Sequence, residues 1–183
     1  GRALAKMHRE TQEQYGLGYD NFIGKTVQKN NLEPDGLVFF REHRIRFQQE
    51  LARKSRGLPK SIDKRLDLFC EKLDTLLDLK DEKPALLHGD LWSGNYFASH
   101  DQAPCIFDPA VYFGLREADL AMTEMFGRLP EEFYRSYHEA FPIQPGYIKR
   151  KNIYNLYHLL NHYNLFGGSY LEQVNQTVRS FLD

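Results

Sequence analysis

Apolar residues recur at helical intervals from the first positions of the chain. Leu4 and Met7, with His8 beside them, follow a 3.6-residue period, and nothing before them can serve as an N-cap. Such a start predicts an element already under way, as in a piece of a longer protein whose upstream part is missing. Between Gly36 and Leu51, the stripe of Leu37, Phe40, Ile45, Phe47 and Leu51 alternates with charges and predicts an amphipathic helix. Ser61 is the N-cap candidate for a second helix reaching about Leu79, with Ile62, Leu66, Phe69, Leu73, Leu76 and Leu77 on its buried face. The stretch from Tyr15 to Asp35, rich in Gly, Asn and turn formers, predicts a surface loop with at most short ordered pieces.

The period changes in the middle of the chain. Tyr96 to Ala98 and Cys105 to Phe107 are short strand-like runs, and the turn-forming stretch from Ser99 to Pro104 between them predicts a hairpin. Pro109 stops the ladder, which leaves Asp108 where the hairpin opens into a cleft. A helical pattern returns through His158 and His162 and ends at Gly167 and Gly168. The fold class predicted is α+β, mainly α with a small β-hairpin, in a single domain over residues 1–183.

Composition narrows the function classes. With 183 residues, 42% hydrophobic and 27% charged, the chain can bury the core of one globular domain. A net charge of -1 leaves no broad footprint for nucleic acid or an anionic membrane, and Arg41, Arg44, Arg46, Arg53, Lys54 and Arg56 read as solvated helix surface. No apolar run approaches the roughly 20 residues of a membrane span, and no secretory signal opens the chain, so a cytosolic setting is expected. Cys70 and Cys105 lie far apart and outside any metal or redox spacing. No self-association surface is legible.

The chemistry concentrates in His88-Gly89-Asp90-Leu91-Trp92-Ser93-Gly94-Asn95 and in Asp108 beyond the hairpin. An Asp and an Asn in one loop would alone suggest an Asx turn or a helix cap. Phosphoryl transfer, however, needs a carboxylate at the attacking hydroxyl and hard oxygens that hold magnesium on the phosphates. Asp90, Asn95 and Asp108 supply those groups, and the loop resembles the His-Arg-Asp, four residues, Asn loop of protein kinases.

Further motifs point to a narrower group. The Leu91-Trp92 pair, the strand end Ile106-Phe107-Asp108-Pro109-Ala110, and Phe113-Gly114 with Asp119-Leu120-Ala121 resemble fructosamine kinases. So do Leu4-Ala5 with Met7-His8, Met125-Phe126-Gly127, and the run from Leu160 to Gly167, and together these span essentially the whole chain. The resemblance implies a kinase-like lobe and ATP-dependent phosphorylation of the 3-hydroxyl of a ketosamine, free or on a glycated protein. Asp90 would orient or deprotonate that hydroxyl without needing a strongly raised pKa, while Asn95 and Asp108 would hold Mg2+ against the ATP phosphates.

Around that centre, His88 and Asp119 are expected to support the catalytic loop. Trp92 is the candidate sugar-facing wall, its alternative being packing within its own loop. Phe97 is either core or the apolar side chain beneath an adenine. His158 and His162 stand four apart on one helix and are expected to bind substrate hydroxyls; a third ligand for a transition metal is missing.

The chain departs from a complete kinase in one respect. No glycine-rich loop followed by a lysine-bearing strand is present, and Gly16-Leu17-Gly18 has neither the spacing nor the order for one. The expectation is therefore a C-terminal lobe, inactive alone, whose nucleotide-gripping lobe lies upstream. A kinase for an aminoglycoside or choline, and a catalytically silent ketosamine-binding module, are the alternative readings.

Overall fold

The structure, a computed structural model, describes residues 1–77, 82–101 and 103–183. It has an α+β fold built around a long helix, with short antiparallel strand pairs. The first helix, α1, spans Arg2–Met7 and buries Leu4 and Ala5. The stretch predicted as a loop contains a small hairpin, β1 (Asn21–Ile23) paired with β2 (Thr26–Gln28). Inward-facing Thr26 and Gln28 are polar, so no apolar alternation marked these strands.

The predicted helix from Gly36 is present but interrupted. It runs as α2 (Gly36–Phe39), a π-helical stretch over Phe40–Arg46, and α3 (Phe47–Ser55). Asp35 caps its start, its carboxylate accepting the N–H groups of Leu37 at 2.8 Å and Val38 at 3.1 Å. The wider π turn brings Phe40, Arg44 and Ile45 all into the interior. Arg44 is therefore not solvated surface as expected. Its guanidinium lies 3.9 Å from the Tyr112 ring centre and 4.6 Å from that of Phe39, and it donates to Asn30 Oδ1 at 2.9 Å. Aromatic faces and a buried amide replace its water.

Helix α4 covers Lys60–Glu71 and α5 covers Leu73–Leu76, with Ile62, Leu66, Phe69 and Leu73 on the inner face as the period requires. Its N-cap position is Pro59, whose backbone is extended there (ψ 134°), and Ser61 lies inside the first turn. Leu79, the expected end of this segment, lies outside the described residues.

The strands that follow place loop 88–95. Strand β3 (Ala85–Leu87) leads into it and β4 (Tyr96–Ala98) leads out; β5 (Pro104–Ile106) leads into the Asp108 segment and β6 (Tyr112–Gly114) leads out. β3 pairs with β6, joining Leu87 to Tyr112, and β4 pairs with β5, joining Tyr96 to Ile106. Both ends of loop 88–95 are thereby tied to both ends of segment 107–111. The β4–β5 hairpin is the one the sequence predicts, whereas β6 and its pairing are not.

The rest is helical: α6 (Glu117–Met122), α7 (Glu131–Ala140), α8 (Tyr147–Phe166) and α9 (Tyr170–Leu182). α8 is the central column, packed by α3, α6 and α9, and it buries Ile153, Leu156, Tyr157 and Leu160. Each such side chain contributes about 1.5–3 kcal/mol. None of these helices is long and apolar enough to cross a membrane.

Candidate active site

Loop 88–95 and segment 107–111 are held together by their own backbones. Ala110 N–H donates to the His88 carbonyl at 2.8 Å, and Phe107 N–H donates to the Asn95 carbonyl at 3.1 Å. The His88 ring completes the link: Nε2 donates to the Phe107 carbonyl at 2.9 Å, while Nδ1 accepts the Asp90 N–H at 3.3 Å. One tautomer satisfies both contacts. Gly89 adopts a φ of 82°, and a Cβ there would stand 2.0 Å from the Ala110 carbonyl oxygen, so a side chain would push the two segments apart.

Asp119 grips the loop from the other side. Its Oδ2 accepts the His88 N–H at 2.8 Å and its Oδ1 the Gly89 N–H at 2.9 Å. Burial opposes its ionisation, but the hydrogen bonds it accepts from the His8 ring and the Gly89 N–H outweigh that, holding its carboxyl below the usual range.

This scaffold presents three chemically capable side chains. Asp90 is half-buried, and burial together with the charges of Asp108 and Asp119 pushes its carboxyl up to about 6. That rise was not legible in the sequence, because it depends on which carboxylates the fold brings near. Asn95 is buried and donates from Nδ2 to the Asp90 carbonyl at 2.9 Å. Its NH2 group is thus spent on Asp90, which turns Oδ1 the other way. Asp108 is exposed and adopts a φ of 54°, uncommon for a residue with a side chain.

The donor set suits magnesium. Among the described residues no three His, Cys, Asp or Glu side chains converge into a self-sufficient metal site. Mg2+ on a nucleotide asks for less, because one or two protein oxygens suffice when phosphates and water fill the remaining positions. Asn95 Oδ1 and the Asp108 carboxylate are hard oxygens of that kind.

The outer candidates separate by depth. Trp92 is 37% exposed, and its indole lies over Gly94, where a Cβ would stand 2.3 Å from the ring. It thus packs within its own loop yet keeps an open face. From Trp92 a row of rings continues through Phe126 at 6.2 Å to His162, 4.9 Å further, and on to Tyr170, 5.0 Å from His162. The ring of half-buried His162 donates from Nδ1 to the His158 carbonyl at 2.8 Å, which leaves Nε2 as an acceptor. Burial lowers its pKa despite that bond. His158 differs. It is 3% exposed, and burial pushes its pKa down to about 3, so the structure places its ring in the interior rather than on an open face. The i, i+4 spacing gave the shared side of the helix but not the depth.

Phe97 is 52% exposed on the β4–β5 hairpin, 5.8 Å from Phe107, beside an apolar groove of 170 Å³ that Leu4, Met7, Leu91 and Ile106 help to line. The strand-core alternative for Phe97 is not what the structure has. A larger groove of 1230 Å³ runs past Tyr15, Asp35 and Asp74 and contains none of these residues. Sequence reasoning passed over His8, whose buried ring contacts Asp119. Its place in the Met7-His8 motif was the available signal.

Comparison with known proteins agrees with this geometry. A family model described as Fructosamine kinase matches residues 1–183. A Vibrio parahaemolyticus protein named probable ketoamine kinase is 45% identical over 183 residues, covering 100% of this chain and 62% of that protein. A chloroplastic protein-ribulosamine 3-kinase of Oryza sativa subsp. indica is 42% identical over 184 residues, covering 100% of this chain and 53% of its own length. A Thermobifida fusca crystal structure of a candidate fructosamine-3-kinase superposes with a TM-score of 0.90 at 34% identity, covering 98% of this chain and 62% of that one. The chain therefore spans less than two thirds of each of these proteins. The family match runs through all 183 residues and lends no support to reading the chain as one lobe alone. By the extent of that match and the identity of these relatives, the chain belongs to the fructosamine kinase family.

Proposed function

We propose that in the intact protein this chain transfers the γ-phosphoryl group of ATP to the 3-hydroxyl of a ketosamine, free or attached to a glycated protein. The observation that carries the reading is the approach of Asp108, on segment 107–111, to Asp90 and Asn95 on the loop that Asp119 pins. The names of the relatives, ketoamine kinase and protein-ribulosamine 3-kinase, support the same acceptor class.

In this reading the Asp90 carboxylate accepts the proton of the attacking hydroxyl. The sugar oxygen forms a bond to the γ-phosphorus as the bond from that phosphorus to the β,γ-bridging oxygen breaks, and ADP leaves with the electron pair. When bound, magnesium would neutralise charge on the phosphates, and Asn95 and Asp108 would hold it. The raised basicity of Asp90 suits an acceptor whose task comes late in the transfer.

Trp92 offers an apolar face to the sugar ring, and His162 Nε2 offers an acceptor for a hydroxyl. Phe97 and its apolar groove suit the adenine. A cytoplasmic setting belongs to the same proposal, supported by free cysteines at Cys70 and Cys105.

The test is phosphate transfer by the intact protein, with ATP and magnesium, to fructosamine, ribulosamine, an aminoglycoside and choline. The proposal expects transfer to the ketosamines. Transfer confined to the aminoglycoside or choline replaces the acceptor class. Ketosamine binding without transfer to any acceptor makes the chain a binding module.

A further inference from the structure

Asp119 is itself held from behind. The His8 side chain, 1% exposed, comes from the C-cap of α1 and meets α6 and α7 at once: Nε2 stands 3.2 Å from Asp119 Oδ2, and Nδ1 stands 2.7 Å from the Tyr137 hydroxyl. An ionised Asp119 only accepts, so the proton between it and His8 sits on Nε2. Arg116 Nη1 reaches the Tyr137 oxygen at 3.4 Å, and the hydroxyl proton then points to His8 Nδ1. Donors and acceptors run in one consistent direction from Arg116 through Tyr137, His8 and Asp119, where the His88 and Gly89 N–H groups meet them.

None of these groups touches reacting atoms, and the simplest account of His8 is a polar residue satisfied in the core. The contact with Asp119 goes further, because that carboxylate fixes the two backbone groups immediately before Asp90. We propose that His8 is a positioning residue for phosphoryl transfer: by orienting the Asp119 carboxylate, it sets the place of the His88 and Gly89 amides and thereby of the Asp90 side chain. The inference rests on the reading of Asp90 as proton acceptor. It makes α1 part of the reaction machinery, and a small displacement of a reacting group is costly in rate.

Two conservative variants separate positioning from packing. A glutamine amide reaches where His8 Nε2 stands and can still donate to Asp119, whereas an asparagine amide reaches only the Nδ1 position and can meet Tyr137 alone. In the intact protein, His8→Asn is expected to lower kcat by about 10- to 100-fold while KM for ATP and ketosamine stays within about threefold. Exchange of the His88 and Gly89 backbone amides should accelerate at least about tenfold in the same variant. His8→Gln should keep kcat and exchange within about threefold of the unsubstituted protein, although both variants lose one buried partner and a similar thermal midpoint.

Equal loss of kcat in the two variants, following their thermal midpoints, overturns the proposal. The exchange measurement needs no substrate: fast exchange in His8→Asn alone supports the role of His8 even if the acceptor is not a ketosamine. Equal exchange in the two variants contradicts it whatever the substrate.

Discussion

A Cβ on Gly89 would lie 2.0 Å from the carbonyl oxygen of Ala110, closer than any side chain tolerates. The approach is what lets Ala110 N–H reach the His88 carbonyl and closes the catalytic loop onto the Asp108 segment. Gly89→Ala should therefore destabilise the fold by at least about 2 kcal/mol, combining the strain of a positive φ with a backbone displacement. Denaturant unfolding measures this, and a loss below about 0.5 kcal/mol would mean that the two segments move apart freely.

Asp108 adopts a left-handed φ of 54° and is followed by Pro109, whose ring restricts the backbone. Asp108→Gly removes the strain but gives up chain stiffness, so stability should stay within about 1 kcal/mol, whereas the β-branched Asp108→Val should lose more than that. Both should abolish phosphate transfer, because both remove the carboxylate proposed to hold the metal. Substantial activity in Asp108→Gly would remove the carboxylate from the mechanism. The restriction at Pro109 also predicts that Asp108 faces the same way in different crystal forms, and two forms with opposite orientations would refute it.

His158 is buried, with its pKa pushed down to about 3 from the ordinary 6.5. The unfolded chain takes up its proton near 6.5, while the folded chain resists until about 3. Stability from this group is therefore full above 6.5 and falls as pH drops through that window, by up to about 1.4 kcal/mol per pH unit. His162, lowered in the same direction by burial, adds to the slope. Urea unfolding between pH 7 and pH 4 should show the decline, and His158→Gln should flatten it. An unchanged slope in that variant would place the acid sensitivity elsewhere.

Arg44 is enclosed by Phe39, Tyr112 and Tyr157, whereas Arg41, three residues earlier, pairs with Glu42 at the surface. Arg44→Met leaves Asn30 Oδ1 and the Lys29 carbonyl without their donor and should cost about 3 kcal/mol. Arg41→Met should stay within about 0.5 kcal/mol. Similar losses in the two would return Arg44 to the solvated face that its sequence context suggests.

That contrast shows where reading the sequence succeeds and where it stops. The catalytic loop and the β4–β5 hairpin were legible because their residues stand close in sequence and are punctuated by Gly89, Gly94 and Pro109. Arg44 was not, since the partners that bury it, Asn30, Tyr112 and Tyr157, come from distant segments and the π turn that rotates it inward leaves no periodic trace. The β3–β6 pairing is hidden for a related reason. Leu87 and Tyr112 lie 25 positions apart, and each strand is three residues long, too short for alternation to stand out. His158 and His162 were correctly placed on one helix, but only packing decides that the first is buried and the second faces the row of rings.

The most direct test of the account is transfer of labelled phosphate from ATP to a ketosamine by the intact protein, compared with its Asp90→Asn variant. The account predicts a 3-phosphorylated product from the unsubstituted protein and a loss of at least about 100-fold in kcat in the variant, with the thermal midpoint little changed. Ketosamine phosphorylation that survives Asp90→Asn at a comparable rate would contradict it.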